Sequence, residues 1–488
     1  MRRRRKNGAR IIAALLSCLM LFLMCAGSAM ADETEMEGAD GGYHLKKVVV
    51  LSRHNLRAPL SGGDSVLGKA TDHEWFSWTA NPKELSVKGG LLETEMGLYF
   101  RKWLEAEGLI PENYVPEGDE VRFYANARQR TIATSRYFAS GMLPVAEIPV
   151  ETHGEMGEFR DPVFSARLTF VNDAFEEKAR EEIREMTLKE GEEGPDGGLE
   201  ESYELLMDVL DMEDSAAVQN GDLKPLEAGD TAVSFEVGEE TVFTGSMKNA
   251  NTISDTLVLQ YYEMEDSDAA AFGHELTEDQ WVKIAEAKDQ WVRTKFSPHS
   301  VAVNISHGLI GELNKELQNK DRRFAFLCGH DSNLMSVLGA LKYEPYDLPD
   351  AIEKSIPIGA KIVFEVREKD GEEFCDISLV YQSLDQLLHL QQLSLENPPV
   401  RYSLSFQGLE RNEDGLYRME DVLQRFDETL AEYETLKNAQ ADETETAQAQ
   451  PETEVKPETE VKPEIEVKPE TEVQLESETQ EESELLAA

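Results

Sequence analysis

The run "KKVVVLS" at residues 46–52 is β-branched without alternation, and it ends directly in Arg53, His54 and Arg57, with Pro59 closing the turn. A strand with no polar face must be covered on both sides, which points to a central strand of a layered α/β fold. Residues just beyond such a strand project into the crevice where α/β proteins bind ligands. Two guanidinium groups beside one imidazole are a poor solution for a core, because buried unpaired charges are costly. An oxyanion such as phosphate offsets that cost, since guanidinium forks match its oxygens in geometry and charge. The same arginines are expected to lower the pKa of His54, which keeps its ring neutral and nucleophilic.

A second junction repeats the pattern. "RRFAFLCG", residues 322–329, reads as another buried strand, and His330 and Asp331 lie just before a helix over 332–341. His330 can donate to a phosphate oxygen, and Asp331 is placed to protonate a leaving alkoxide. Asp331 also has the character of an N-cap, where the helix dipole favours its ionised form. Further strands are expected from Lys361 ("KIVFEV") and Cys375 ("CDISLVYQ"), and helices over 90–107, 130–141 and 299–318. Alternation of this kind predicts an α/β fold with a mainly parallel central sheet flanked by helices. Its core is expected over 32–160 and 297–437. Between 161 and 296 strand-like runs thin out and acidic helical stretches dominate, which predicts a mostly helical insert over the active-site cleft.

Charge limits the partners. Lys and Arg number 48 against 96 Asp and Glu, for a net charge of −48. Residues 1–31 hold six basic residues and no acids, and the tail from Asn438 holds 16 acids and three lysines, so the part between is near −41. So acidic a body repels nucleic acid and anionic membrane surfaces. A phosphate site here has to be a local island of positive charge.

Residues 1–31 read as a secretory signal peptide, with a basic start, an apolar run over 11–27 and the small-x-small site Ala29-Met30-Ala31. Cleavage before Asp32 would leave an exported protein, periplasmic or extracellular, without a membrane anchor. Cys328 and Cys375 then remain, either paired or as buried small hydrophobes. No metal-ligand spacing appears, so neither metal nor other cofactor is expected. From 438 onward the composition turns to Glu, Thr, Ala, Gln and Pro, with "PETEVK" repeated at Pro451 and Pro457. A proline every six residues blocks helix and sheet, which predicts a disordered acidic tail over 438–488. Trp75 and Trp78 fit either a cleft wall or packing anchors, and His153, His274, His307 and His389 carry no motif.

The RHxxRxP motif with a distant His-Asp resembles the signature of the histidine acid phosphatases. "SRHNLRAPL", "MGLYFRKWL", "ANARQRTIAT", "LQYYE", "GHDSNL" and "PIGAKIVFE" extend the likeness from about Val48 to Val422. The resemblance implies hydrolysis of small phosphate monoesters through a phosphohistidine. It makes His54 the nucleophile, Asp331 the general acid, and Arg53, Arg57, Arg130 and His330 the phosphate-binding set. Glu263 matches a residue that contacts sugar hydroxyls, and Leu60 one at the mouth of the leaving-group pocket. A sugar phosphate such as glucose 1-phosphate is then the first-choice substrate, with inositol hexakisphosphate the alternative. Oligomeric state is left open. The chain departs from the family in its two cysteines, where several disulfides are usual, and in Ser86-Val87 of "LSVKGG".

Overall fold

The computed structural model describes residues 42–157, 160–187 and 194–448, with side chains to residue 439. The leader and the proline repeat lie outside the described residues. Strands β1 (His44–Arg53), β2 (Val121–Ala125), β3 (Val150–Glu151), β6 (Phe324–Gly329), β7 (Lys361–Lys369), β8 (Glu372–Tyr381), β9 (Val400–Ser403) and β10 (Tyr417–Arg418) form one sheet, and β4 (Ala232–Ser234) and β5 (Val242–Thr244) form a separate hairpin. The large sheet has the order β10-β8-β7-β1-β6-β2-β3, with β9 also on β8. β1, β6, β2 and β3 run parallel, as the apolar runs before the two His motifs predict.

The half beyond β1 is antiparallel: "KIVFEV" and "CDISLVYQ" are β7 and β8 of one hairpin. Asp370 and Gly371 join them, both with positive φ (55° and 82°). Asp-Gly is the turn that such a two-residue hairpin favours, so the antiparallel flank has a local cause.

Alternate side chains of β1 enter two cores. Val48 and Val50 point into one, with Phe100, Trp103, Phe138 and Phe326, and Val49 and Leu51 into the other. The first core lies under α1 (Val87–Ala106) and α2 (Gln129–Met142). These helices cross closely: a Cβ on Gly97 would stand 2.3 Å from the Phe138 carbonyl oxygen, and one on Gly141 2.3 Å from that of Thr94.

The second core is built from α3 (Asp173–Thr187), α4 (Glu200–Val209), α5 (Ser246–Glu263), α6 (Glu278–Phe296), α7 (His299–Gln318), α8 (Asp331–Ala340) and α9 (Met419–Gln448). It runs without a break from Leu51 and Leu327 of the sheet into Phe175, Leu257 and Trp281 of the stretch expected as an insert. That stretch is largely helical, and its apolar face is shared with the sheet rather than closed on itself.

Of the two readings left open for the cysteines, Cys328 and Cys375 are buried small hydrophobes: both are free, and they belong to different cores on opposite faces of the sheet. The boundary at 438 falls inside α9, which continues to Gln448 because residues 438–448 are free of proline and rich in Ala, Gln and Glu. His307 stacks on Tyr433 of α9 at 3.9 Å, and Trp75 donates to the Leu67 carbonyl and packs edge-on against Phe272. Among the described residues no helix is long and apolar enough to cross a membrane.

Because Gly97 meets backbone rather than a movable side chain, Gly97→Ala is expected to destabilise the protein by about 1–3 kcal/mol. Urea unfolding of the two forms checks this.

Candidate active site

The register of the sheet assembles the site. Arg53 pairs with Gly329 across β1 and β6, so the residues that follow each strand emerge side by side. The His54 amide donates to the Gly329 carbonyl (3.0 Å), and the rings of His54 and His330 lie 5.4 Å apart, edge to face.

His54 is 3% exposed, and its Nδ1 lies 2.9 Å from the Asn55 carbonyl oxygen. A carbonyl only accepts, so Nδ1 carries the proton and Nε2 keeps its lone pair. Burial drives the pKa of His54 well below its ordinary value, helped by Arg130, His330, Arg57 and Arg53 in that order. The neutral ring expected from the sequence is therefore present, with burial rather than the arginines as its chief cause.

The cations around it are incompletely met. Arg53 is fully buried; its guanidinium reaches Glu353 (2.8 Å), the Ile356 carbonyl (2.6 Å) and Asp331 (3.1 Å). Arg57 pairs with Asp255 at 3.0 Å. Arg130, in the first turn of α2, touches the Lys83 carbonyl and His330 Nδ1 only at 3.4 Å. Burial and Arg57 lower its pKa to about 9, so it is still charged at neutral pH. The Nε donors of all three arginines are buried without a partner. Buried donors left unpaired are costly, so this cluster calls for an anion.

His330 is the N-cap of α8 and Asp331 its first residue, one position later than the capping reading of Asp331. Asn126 Nδ2 lies 2.8 Å from His330 Nε2 and, as an amide nitrogen, can only donate to it, while the Arg130 guanidinium stands 3.4 Å from Nδ1. Burial pushes the Asp331 carboxyl upward, but Arg53, Lys288, His330 and Arg57 outweigh it and hold it well below the usual carboxylate range. Acting as a general acid therefore requires Asp331 to take up a proton against the pull of Arg53, which reaches it directly.

These groups open into a cavity of about 500 Å³ lined by His54, Arg57, Arg130, His330, Asp331 and Leu60, the last 39% exposed at the mouth. Eight Lys and Arg line it against five Asp and Glu, which is the positive island that a chain of net charge −48 requires. Among the described residues no cluster of three or more His, Cys, Asp and Glu is arranged to hold a metal ion.

Glu263 is not among the lining residues. It ends α5, where its Oε2 accepts from Ser86 Oγ, the N-cap of α1, at 2.8 Å. Lys248, Asn251 and Asp255 of α5 face the cavity instead, at i, i+3 and i+7. Glu263 lies eight residues beyond Asp255, about 12 Å along the axis. The sequence reading also missed Asn126, Lys288, Asp255 and Glu353. Three of these are carboxylates or a lysine inside a highly charged chain, where nothing local distinguishes them.

Glu353 anchors the cluster. Burial raises its pKa, but Lys288 and Arg53 bring it down from 4.5 to about 2, and it also accepts from the Ile358 amide and Tyr262. Since its folded value lies below the unfolded one, its stabilisation is complete above pH 4.5 and fades as pH falls toward 2. Glu353→Gln is expected to cost about 3–5 kcal/mol at neutral pH, by leaving Arg53 and Lys288 uncompensated. It should also flatten the acid limb of stability across that window, as urea unfolding at several pH values would record.

Comparison with known proteins agrees with this geometry. Residues 44–170 match the family described as histidine phosphatase superfamily (branch 2). The glucose-1-phosphatase of Salmonella typhimurium is 35% identical over 410 residues, covering 82% of this chain and 95% of that protein. That of Providencia rettgeri is 33% identical, covering 76% and 88%. The solved structure of Hafnia alvei phytase in its apo form superposes with a TM-score of 0.72 at 22% identity, over 80% of this chain and 98% of that one, and so supports the fold. The chain therefore belongs to the histidine phosphatase superfamily, branch 2, and is a phosphatase that hydrolyses small phosphate esters.

Proposed function

We propose that this protein is an exported glucose-1-phosphatase that works through a phosphohistidine at His54. The observation that carries the reading is the neutral His54 ring, its Nδ1 committed to Asn55, beside three arginines with unpartnered Nε donors. The phosphate of a monoester lies against Arg57, Arg130 and His330, which line the cavity, with Arg53 behind them. His54 Nε2 then attacks phosphorus in line, forming a P–N bond as the ester P–O bond breaks. Water next attacks phosphorus, giving a proton to the Asp331 carboxylate as the P–N bond breaks and returns its electron pair to His54 Nε2, and inorganic phosphate leaves. The guanidinium groups carry the charge stabilisation that metals supply in other phosphoryl transfer enzymes.

The proton for the leaving alkoxide needs a source, because the cations around Asp331 favour its carboxylate. A bound phosphate offsets the field of the arginines and raises the Asp331 pKa. A monoester with its second ionisation near ~6 also brings a proton of its own in mild acid. Either route places one extra proton in the complex, on Asp331 with a dianionic ester or on the ester itself, and gives an acidic optimum.

For the leaving group, Asn251 takes over the hydroxyl-binding part that Glu263 cannot reach, with Leu60 at the entrance. The relatives named above support glucose 1-phosphate. The phytase reading draws support from the excess of basic lining residues, though Glu239, Glu240 and Asp255 would oppose a six-phosphate ligand. Export rests on the leader; mass spectrometry of protein from outside the cytoplasm should find Asp32 as its first residue.

Acid-quench trapping should yield phosphoenzyme with the native protein, and His54→Ala should lose it along with at least about 10³-fold in turnover. A trapped phosphoenzyme in His54→Ala would rule the mechanism out. The native protein should also show a higher kcat/KM for glucose 1-phosphate than for inositol hexakisphosphate. Asn251→Ala should lower the former about tenfold, while equal or reversed preference would make the protein a phytase.

A further inference from the structure

Beneath the nucleophile loop lies an ion pair that the chemistry above does not use. Glu93 of α1 and Lys361 at the start of β7 are both 0% exposed, 2.9 Å apart, and neither lines the cavity. Burying two charges generally stabilises a fold no better than well-packed apolar side chains of the same volume. Fold stability is therefore a weak reason for this pair, and what it holds is more telling.

The other side-chain hydrogen bonds of the pair run to Ser52 and Asn55, which flank His54, and to the Gly359 turn packed against them. Glu93 Oε2 accepts from Asn55 Nδ2 at 2.8 Å. Lys361 Nζ donates to Ser52 Oγ (3.1 Å) and to the Gly359 carbonyl (2.9 Å), and Ser52 Oγ donates to the Arg53 carbonyl. The Asn55 amide donates to Thr134 Oγ1 of α2, and its Oδ1 accepts from the Leu56 amide. The fit is close on two further sides. Gly359 has φ +68°, and a Cβ there would stand 2.6 Å from Asn55 Nδ2; one on Gly89 would stand 2.2 Å from the Leu56 carbonyl oxygen. Asn55 is thus gripped from α1, α2 and the turn before β7, and its carbonyl is the group that meets His54 Nδ1.

We propose that the buried Glu93–Lys361 pair is a positioning device for the nucleophile: by fixing the Asn55 amide it fixes the Asn55 carbonyl against His54 Nδ1, which keeps Nε2 unprotonated and aimed at phosphorus. Asn55, Glu93 and Lys361 touch no substrate and act only through His54. A misplaced nucleophile loses rate more than substrate affinity, because the phosphate is held by the arginines. The inference rests on His54 as nucleophile, yet the tautomer can be observed without turnover.

The test combines ¹⁵N-histidine NMR of the full chain with steady-state kinetics. In the native protein His54 should carry its proton on Nδ1 at neutral pH, and a proton on Nε2 would overturn the proposal without any variant. Replacing the pair by Glu93→Leu with Lys361→Met should lower kcat about 10- to 100-fold, leave KM within about twofold, and mix the two His54 tautomers. Glu93→Gln with Lys361→Met restores an acceptor for Asn55 without charge, and should recover kcat to within about threefold of native. Unchanged kcat and tautomer in the first double variant, or no recovery in the second, would defeat the idea. Should the first variant not fold, Asn55→Ala, which leaves the ion pair in place, must give the same loss in kcat at constant KM. If turnover survives in His54→Ala while the tautomer is as expected, the nucleophile reading fails and the positioning geometry stands.

Discussion

A guanidinium sealed from water has to be met by negative charge, and Arg53 meets it twice, with Glu353 on one side and Asp331 on the other. That arrangement sets the electrostatics of the whole cleft. Glu353 is held by Lys288 as well, so its charge is spent within the floor. Asp331 is left with a free edge toward the cavity but is kept ionised until another anion competes for the same cations. Arg57 and Arg130 lean on weaker partners and retain unpaired donors. The cluster therefore carries a demand for anionic charge of the kind a phosphate group can meet.

The neutral nucleophile follows from the same layout. A histidine among arginines in water would keep much of its basicity, because solvent screens the repulsion. At the end of β1 the ring is dry, so burial itself removes the charged form and the arginines add to that. An attacking lone pair and a strongly positive surround can then coexist. The surrounding body, strongly acidic overall, does not quench the cations, since its acids are mostly on the outside while the lining carries eight basic residues.

The apolar runs at 46–52 and 322–329 were legible because a strand buried on both faces has no choice of composition, and their ends named Arg53, His54, Arg57, His330 and Asp331 directly. Helix positions came within a few residues for the same reason of periodicity in α1, α2, α7 and α8. The Asp370-Gly371 turn is equally local, a two-residue signal that marks β7 and β8 as an antiparallel hairpin. Glu263 shows the opposite case. Its motif lies on the correct helix, but one helix carries groups to sites more than a nanometre apart, and only packing tells which turn faces the cleft.

What the amino-acid sequence determined alone was the chemistry available: a histidine and two arginines after one buried strand, a His-Asp pair after another, and a strongly negative charge balance around them. What tertiary structure decided was which groups share a charge. The parallel register of Arg53 with Gly329 brought the two motifs together, and packing assigned Asp255 to Arg57, Glu353 to Arg53, and Glu93 with Lys361 to Asn55. Those pairings join residues far apart along the chain, and a carboxylate's partner depends on distance in space, which no local pattern encodes.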